Sequence, residues 1–101
     1  YMKRILIADD HSIVRLGVSV LLNNELKNIH IDYAVNIDEV FNHLQRNSFD
    51  LILLDINMPG GNNIKVIKEI LQVQSTTKIL VFSSYDESVY ALRYKEAGTT
   101  N

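Results

Sequence analysis

The sequence predicts an α/β fold built on a doubly wound parallel sheet, and three observations carry that prediction. Short apolar runs, among them Ile5-Leu6-Ile7-Ala8, Leu51-Ile52-Leu53-Leu54 and Ile79-Leu80-Val81-Phe82, stop abruptly at polar residues, as strands buried on both faces do. The stretches between them carry apolar residues at three- and four-residue spacing, the period of a helix face. The two patterns alternate as βαβαβαβα, and such alternation with helices of about 10–15 residues implies parallel strands joined by right-handed crossovers.

The first strand is Lys3–Ala8, ended by Asp9-Asp10. From Ser12 onward Ile13, Leu16, Gly17, Val20 and Leu21 share one face of a helix that ends near Asn23-Asn24. Ile29–Val35 alternates as a second strand, and Asp38–Asn47 forms a helix with Val40, Phe41 and Leu44 on one face and Asn36 as its N-cap. Leu51–Leu54 is the third strand, ended by Asp55. Met58-Pro59-Gly60-Gly61 then makes a turn, because proline fixes φ and glycine permits positive φ. Ile64, Ile67, Ile70 and Leu71 give the next helical stripe, and Lys78–Phe82 is the fourth strand, ending at Ser83-Ser84. A last helix is expected from Asp86 to Ala97, with Val89, Leu92 and Ala97 inward and Gly98 at its C-terminal cap.

Composition narrows the function classes. The chain has 101 residues, 47% of them hydrophobic and 22% charged, which suits one globular domain and excludes a disordered one. Without cysteine it has no disulfide, thiol nucleophile or thiolate zinc site. A formal charge of −2 argues against a whole-domain electrostatic grip on nucleic acid or anionic lipid. No apolar run approaches the roughly 20 residues needed to span a bilayer, so a cytoplasmic location without membrane association is expected. Tyr1 ahead of Met2 reads as a residue added before the natural start.

In a doubly wound sheet, reactive groups gather at the carboxyl ends of the strands, near the point where the strand order reverses. With the order 2-1-3-4, Asp9, Asp10 and Asp55 converge there. Three carboxylates repel one another in a small crevice, and a hard divalent cation such as Mg2+ relieves the repulsion. Asp55, fixed between a buried strand and a turn, has the setting of a carboxylate nucleophile able to form an aspartyl-phosphate, with Ser83 on the neighbouring strand end as a phosphoryl contact.

With those residues in place, the chain resembles the receiver domain of bacterial two-component response regulators, over nearly all of residues 2–98. Ile5–Asp10 matches the family's first strand and acidic pair, Leu51–Gly60 its phosphoacceptor strand and loop, Val81–Ser84 the strand ending in Ser/Thr, and Ala97-Gly98 the end of its fourth helix. The stretch Asp9–Gly17 is further similar to regulators with a helix-turn-helix DNA-binding output domain. The resemblance implies a flavodoxin-like receiver fold and a phosphorylation-dependent signalling module that accepts its phosphoryl group on Asp55 from a sensor histidine kinase. It implies Mg2+ held by Asp10, Asp55 and the Asn57 carbonyl, with Asp9 acting through water, and Ser83 and Ser84 as the phosphoryl-contact and switch residues. DNA would be reached only through an output domain outside this chain.

The family's fifth strand and helix, with an aromatic switch residue and a lysine that pairs with the phosphoryl group, have no counterpart before Thr99-Thr100-Asn101. The expectation is a receiver domain over residues 2–101, truncated before its fifth strand. The apolar edge Ile79–Phe82 is then uncovered and invites a homodimer or segment-swapped oligomer. The alternative is a Mg2+-dependent phosphohydrolase using an aspartyl-phosphate. Such an enzyme needs a second carboxylate two residues beyond the nucleophile, where this chain has Asn57. His11, His30 and His43 read as capping or solvent groups, Arg15, Lys65 and Lys68 as exposed helix charges, and Tyr85, Tyr90 and Tyr94 as core or partner-face residues.

Overall fold

The computed structural model describes residues 2–59, 64–83 and 91–93, with residues 83 and 91–93 described by their backbone alone. The elements run β1 (Lys3–Ala8), α1 (Ser12–Glu25), β2 (Ile29–Ala34), α2 (Ile37–Arg46), β3 (Leu51–Asp55), α3 (Ile64–Val73), β4 (Lys78–Ser83) and β5 (Ala91–Arg93). Four parallel strands lie in the order β2-β1-β3-β4, as the sequence predicts.

Alternation along each inner strand feeds two cores. Leu6, Ala8, Ile52, Leu54, Ile79 and Val81 pack beneath α2 and α3, meeting Val40, Leu44, Ile67 and Ile70. Ile5, Ile7, Leu53 and Phe82 face α1, which contributes Val14. The α2 start follows its sequence signature: Asn36 Oδ1 accepts from Glu39 N at 2.8 Å, and Glu39 Oε1 reaches back to Val35 N at 2.9 Å. At the amino ends of the strands Gln74 ties the segments together. Its Oε1 accepts from Phe49 N at 2.9 Å, and its Nε2 donates to the carbonyls of Leu44 and Asn47.

Two expectations are corrected. The α1 residues assigned to one face do not point into the core: Ile13 is 74% and Leu16 61% exposed, while Val14 is buried. Apolar side chains occupy much of the circumference of α1, so periodicity alone cannot choose the inward stripe. The helix instead leaves a cavity of about 480 Å³ between Ile13, Gly17 and Leu21 and the sheet residues Leu53, Leu80 and Phe82.

The second correction concerns the expected helix over Asp86–Ala97. Residues 91–93 are extended and pair antiparallel with β4, with Val81 opposite Arg93 and Ser83 opposite Ala91. The reason is the β4 edge, whose unpaired backbone groups accept any extended neighbour, and Val89, Tyr90 and Tyr94 supply β-favouring residues around Leu92. That edge is therefore not bare at 81–83. The remainder of the predicted helix lies outside the described residues, as do Tyr1, Gly60, Gly61, Ser84, Tyr85 and Gly98.

Candidate functional site

The site lies at the carboxyl ends of β1 and β3. Their register pairs Ala8 with Leu54, so the next residues, Asp9 and Asp55, stand level on adjacent strands. Both side chains are fully buried, whereas Asp10, one step further on, reaches solvent. The chain leaves β1 with Asp9 N donating to Ala34 O at 2.9 Å, which holds the strand end rigidly against β2. Beyond β3, Ile56 N donates to Phe82 O and Met58 N to Asp55 O, while the fully buried Met58 anchors the turn in the core. Asn57 N donates to Asp55 Oδ1 at 2.9 Å, orienting the carboxylate, whose Oδ2 lies 3.9 Å from His11 Nδ1.

Asp9 Oδ1 accepts from the His11 backbone N–H at 2.8 Å and lies 2.9 Å from His11 Nδ1. Asp9 Oδ2 is buried and has no hydrogen-bond partner among the described residues. Burial pushes the Asp9 carboxyl above its ordinary range; the two His11 bonds pull it down, and the charge of Asp55 raises it again. An orphaned buried oxygen in a crevice of carboxylates is the chemistry a divalent cation answers. Asp9, Asp10, His11 and Asp55 each present one ligand atom, all within 4.8 Å of one another. The residues thus fit a hard cation.

The three acids expected to converge do so. Asn57 is present through its N–H bond to Asp55. β4 carries the Ser83 backbone one residue beyond Phe82, the register partner of Asp55, while the Ser83 side chain and all of Ser84 lie outside the described atoms.

Sequence reasoning missed two residues. His11 occupies the N-cap of α1, but its ring lies among the acids, with Nδ1 3.1 Å from Asp10 Oδ1 and 3.9 Å from Asp55 Oδ2. The bond to Asp9 raises its pKa, and the charges of Asp10, Asp9 and Asp55 add to the rise against the cost of desolvation. Arg15 is no plain surface charge, since its Nη1 donates to Asp9 O at 2.8 Å and braces the strand end. The available signal was position: His11 directly follows the acid pair, and Arg15 follows one helical turn later. His30 and His43 sit elsewhere, on Asp32 and on the Tyr33 carbonyl.

Comparison with known proteins bears on the family and the fold. The family described as response regulator receiver domain matches residues 5–101. The Fimbriae Z protein of Escherichia coli K12 is 40% identical over 98 residues, covering 93% of this chain and 45% of that protein. The oxygen regulatory protein NreC of Staphylococcus carnosus is 32% identical over 88 residues, covering 86% of this chain and 41% of its own length. The chain therefore spans under half the length of these curated relatives. The response regulator protein TrrA of Thermotoga maritima, solved in complex with Mg(2+)-BeF, superposes with a TM-score of 0.71 at 34% identity, covering 84% of this chain and 72% of that one.

Proposed function

The chain belongs to the response regulator receiver domain family, and on that premise we propose that Asp55 is its phosphoacceptor, charged by a sensor histidine kinase. The observation that carries the reading is the level placement of buried Asp55 and Asp9, with the Asp9 Oδ2 atom unpartnered beside them.

In the proposed step an Asp55 carboxylate oxygen attacks phosphorus, the bond from phosphorus to the donor imidazole nitrogen breaks, and that nitrogen keeps the electron pair. The product is an acyl phosphate on Asp55. The Asn57 N–H holds Oδ1, so the reacting carboxylate is oriented before the donor arrives. The Arg15 bond to the Asp9 carbonyl keeps the β1 end in register with β3. Asp10, Asp55 and the Asn57 carbonyl would hold Mg2+, with Asp9 acting through water. When bound, the ion neutralises the charge that builds up on the transferring phosphoryl group.

Phosphorylation changes the Asp55 charge only from −1 to about −1.5 to −2. The response therefore rests on new directional contacts, for which Ser83 and Ser84 at the end of β4 are the proposed donors. The Ile56 N–H bond to Phe82 O links the Asp55 turn to that strand. The output in this reading is transcriptional, through a DNA-binding domain outside these residues, in the cytoplasm. Self-association through the Lys78–Leu80 part of β4, beyond the residues paired with β5, belongs to the same proposal. The phosphohydrolase alternative is disfavoured because Asn57 cannot transfer a proton.

The test is incubation with Mg2+ and a small phosphodonor followed by intact-mass measurement. One labile phosphoryl adduct is expected, absent in Asp55→Asn. An unchanged adduct in that variant refutes the assignment, and steady turnover of phosphoesters favours the hydrolase.

A further inference from the structure

We propose that His11 Nδ1 is a nitrogen ligand of the divalent-cation centre, so that the site prefers a first-row transition ion such as Mn2+ over Mg2+. The inference rests on the reading that the acids of β1 and β3 hold a cation, and it adds a donor of a different chemical kind.

The ring is already where a ligand must be. Its Nδ1 stands 3.1 Å from Asp10 Oδ1 and 3.9 Å from Asp55 Oδ2. Donors around a six-coordinate ion with bonds of about 2.1 Å are separated by about 3 Å when adjacent and about 4 Å when opposite, so both distances suit ligands of one ion. The fold fixes the backbone that carries the ring. The His11 backbone N–H is pinned to Asp9 Oδ1 at 2.8 Å, and the following turn is pinned through Arg15 N, which donates to His11 O at 3.1 Å. An independent observation points to a ligand, since Asp9 Oδ2 is fully buried in the same crevice with no partner among the described residues.

Donor type then sets the choice of ion. Carboxylate oxygens alone suit Mg2+, Ca2+ and Mn2+, whereas an imidazole nitrogen favours ions later in the first transition row. On coordination the ring gives its Nδ1 proton to solvent, and Asp9 keeps the His11 backbone bond. A six-coordinate ion bound by His11 and the carboxylates of Asp10 and Asp55 retains positions for water and a phosphoryl oxygen.

The experiment measures Mn2+ and Mg2+ affinities by competition, with pulsed electron paramagnetic resonance of the Mn2+-loaded chain, at about pH 8, above the ordinary imidazole value. His11→Gln is the test variant; its fold is expected to hold because the His11 side chain makes no capping bond among the described residues. Imidazole nitrogen modulation in the wild type, lost in His11→Gln, together with a fall of about tenfold in the preference for Mn2+ over Mg2+, supports the proposal. Absent modulation in the wild type, or modulation that survives in His11→Gln and so arises from His30 or His43, overturns it. Asp10→Asn separates the two levels. Mn2+ and Mg2+ bound equally by wild type and Asp10→Asn overturns the acid centre itself, whereas Mg2+ binding lost only in Asp10→Asn, without nitrogen modulation in the wild type, overturns the role of His11 alone.

Discussion

The two ends of the sheet treat buried polar groups in opposite ways. At the amino ends, Gln74 uses both its carbonyl and its amide, Thr77 Oγ1 donates to Phe49 O at 2.6 Å, and Asp50 Oδ2 accepts from Arg4 N at 2.8 Å. At the carboxyl ends, Asp9, Asp10 and Asp55 crowd together and Asp9 Oδ2 goes unmatched among the described residues. The first arrangement fastens loops to the core. The second holds charge that a ligand would relieve, and unpaired buried polar atoms of this kind mark where a fold departs from its own stability rules to act.

Substitutions at the two ends should therefore change stability with opposite signs. Gln74→Ala removes the acceptor of Phe49 N–H and the donor to two carbonyls, so chemical denaturation should show a loss of about 2–4 kcal/mol. Asp9→Asn removes a fully buried charge next to Asp55 and should raise stability by about 1–2 kcal/mol in chelator. A loss at both ends would erase the distinction.

Acid titration adds a second contrast, between paired Asp32 in the middle of β2 and buried Asp9 beyond β1. Burial alone would raise Asp32, but bonds from His30 and Arg4 outweigh it and hold the carboxyl below its ordinary 3.8. Its contribution is present above that ordinary value and is lost as pH falls through the lowered pKa. Asp9 is raised above 3.8, chiefly by burial. Its contribution is full below 3.8 and is lost as pH rises through the raised pKa. In melting curves taken from about pH 2 to pH 7, Asp32→Asn should flatten the acid limb at a cost of about 0.5–1 kcal/mol near neutrality. Asp9→Asn should instead remove the decline on the rising side. Identical profiles for the two variants would contradict these assignments.

The functional end was more legible in the sequence than the rest of the fold. Strand runs that end in acids fix both a parallel sheet and the place where the acids meet, so Asp9, Asp10 and Asp55 follow from topology alone. The inward face of α1 does not follow, because Ile13, Leu16 and Leu21 compete with Val14, Val18 and Leu22 for the same assignment. The short strand at 91–93 was hidden because three residues cannot separate a helical period from an extended one. His11 was hidden for a different reason. A lone histidine at a helix start has many settings, and only the folded chain brings its ring into the crevice of Asp9, Asp10 and Asp55.

The central claim is that the β1 and β3 acids form one cation-binding rim. The most direct test compares melting of the wild type, Asp10→Asn and Asp55→Asn in chelator and in saturating Mg2+. At about 100 times Kd the wild type should gain about 2.7 kcal/mol, while both variants should gain almost nothing. Equal gains in all three, or none in the wild type, would contradict the claim.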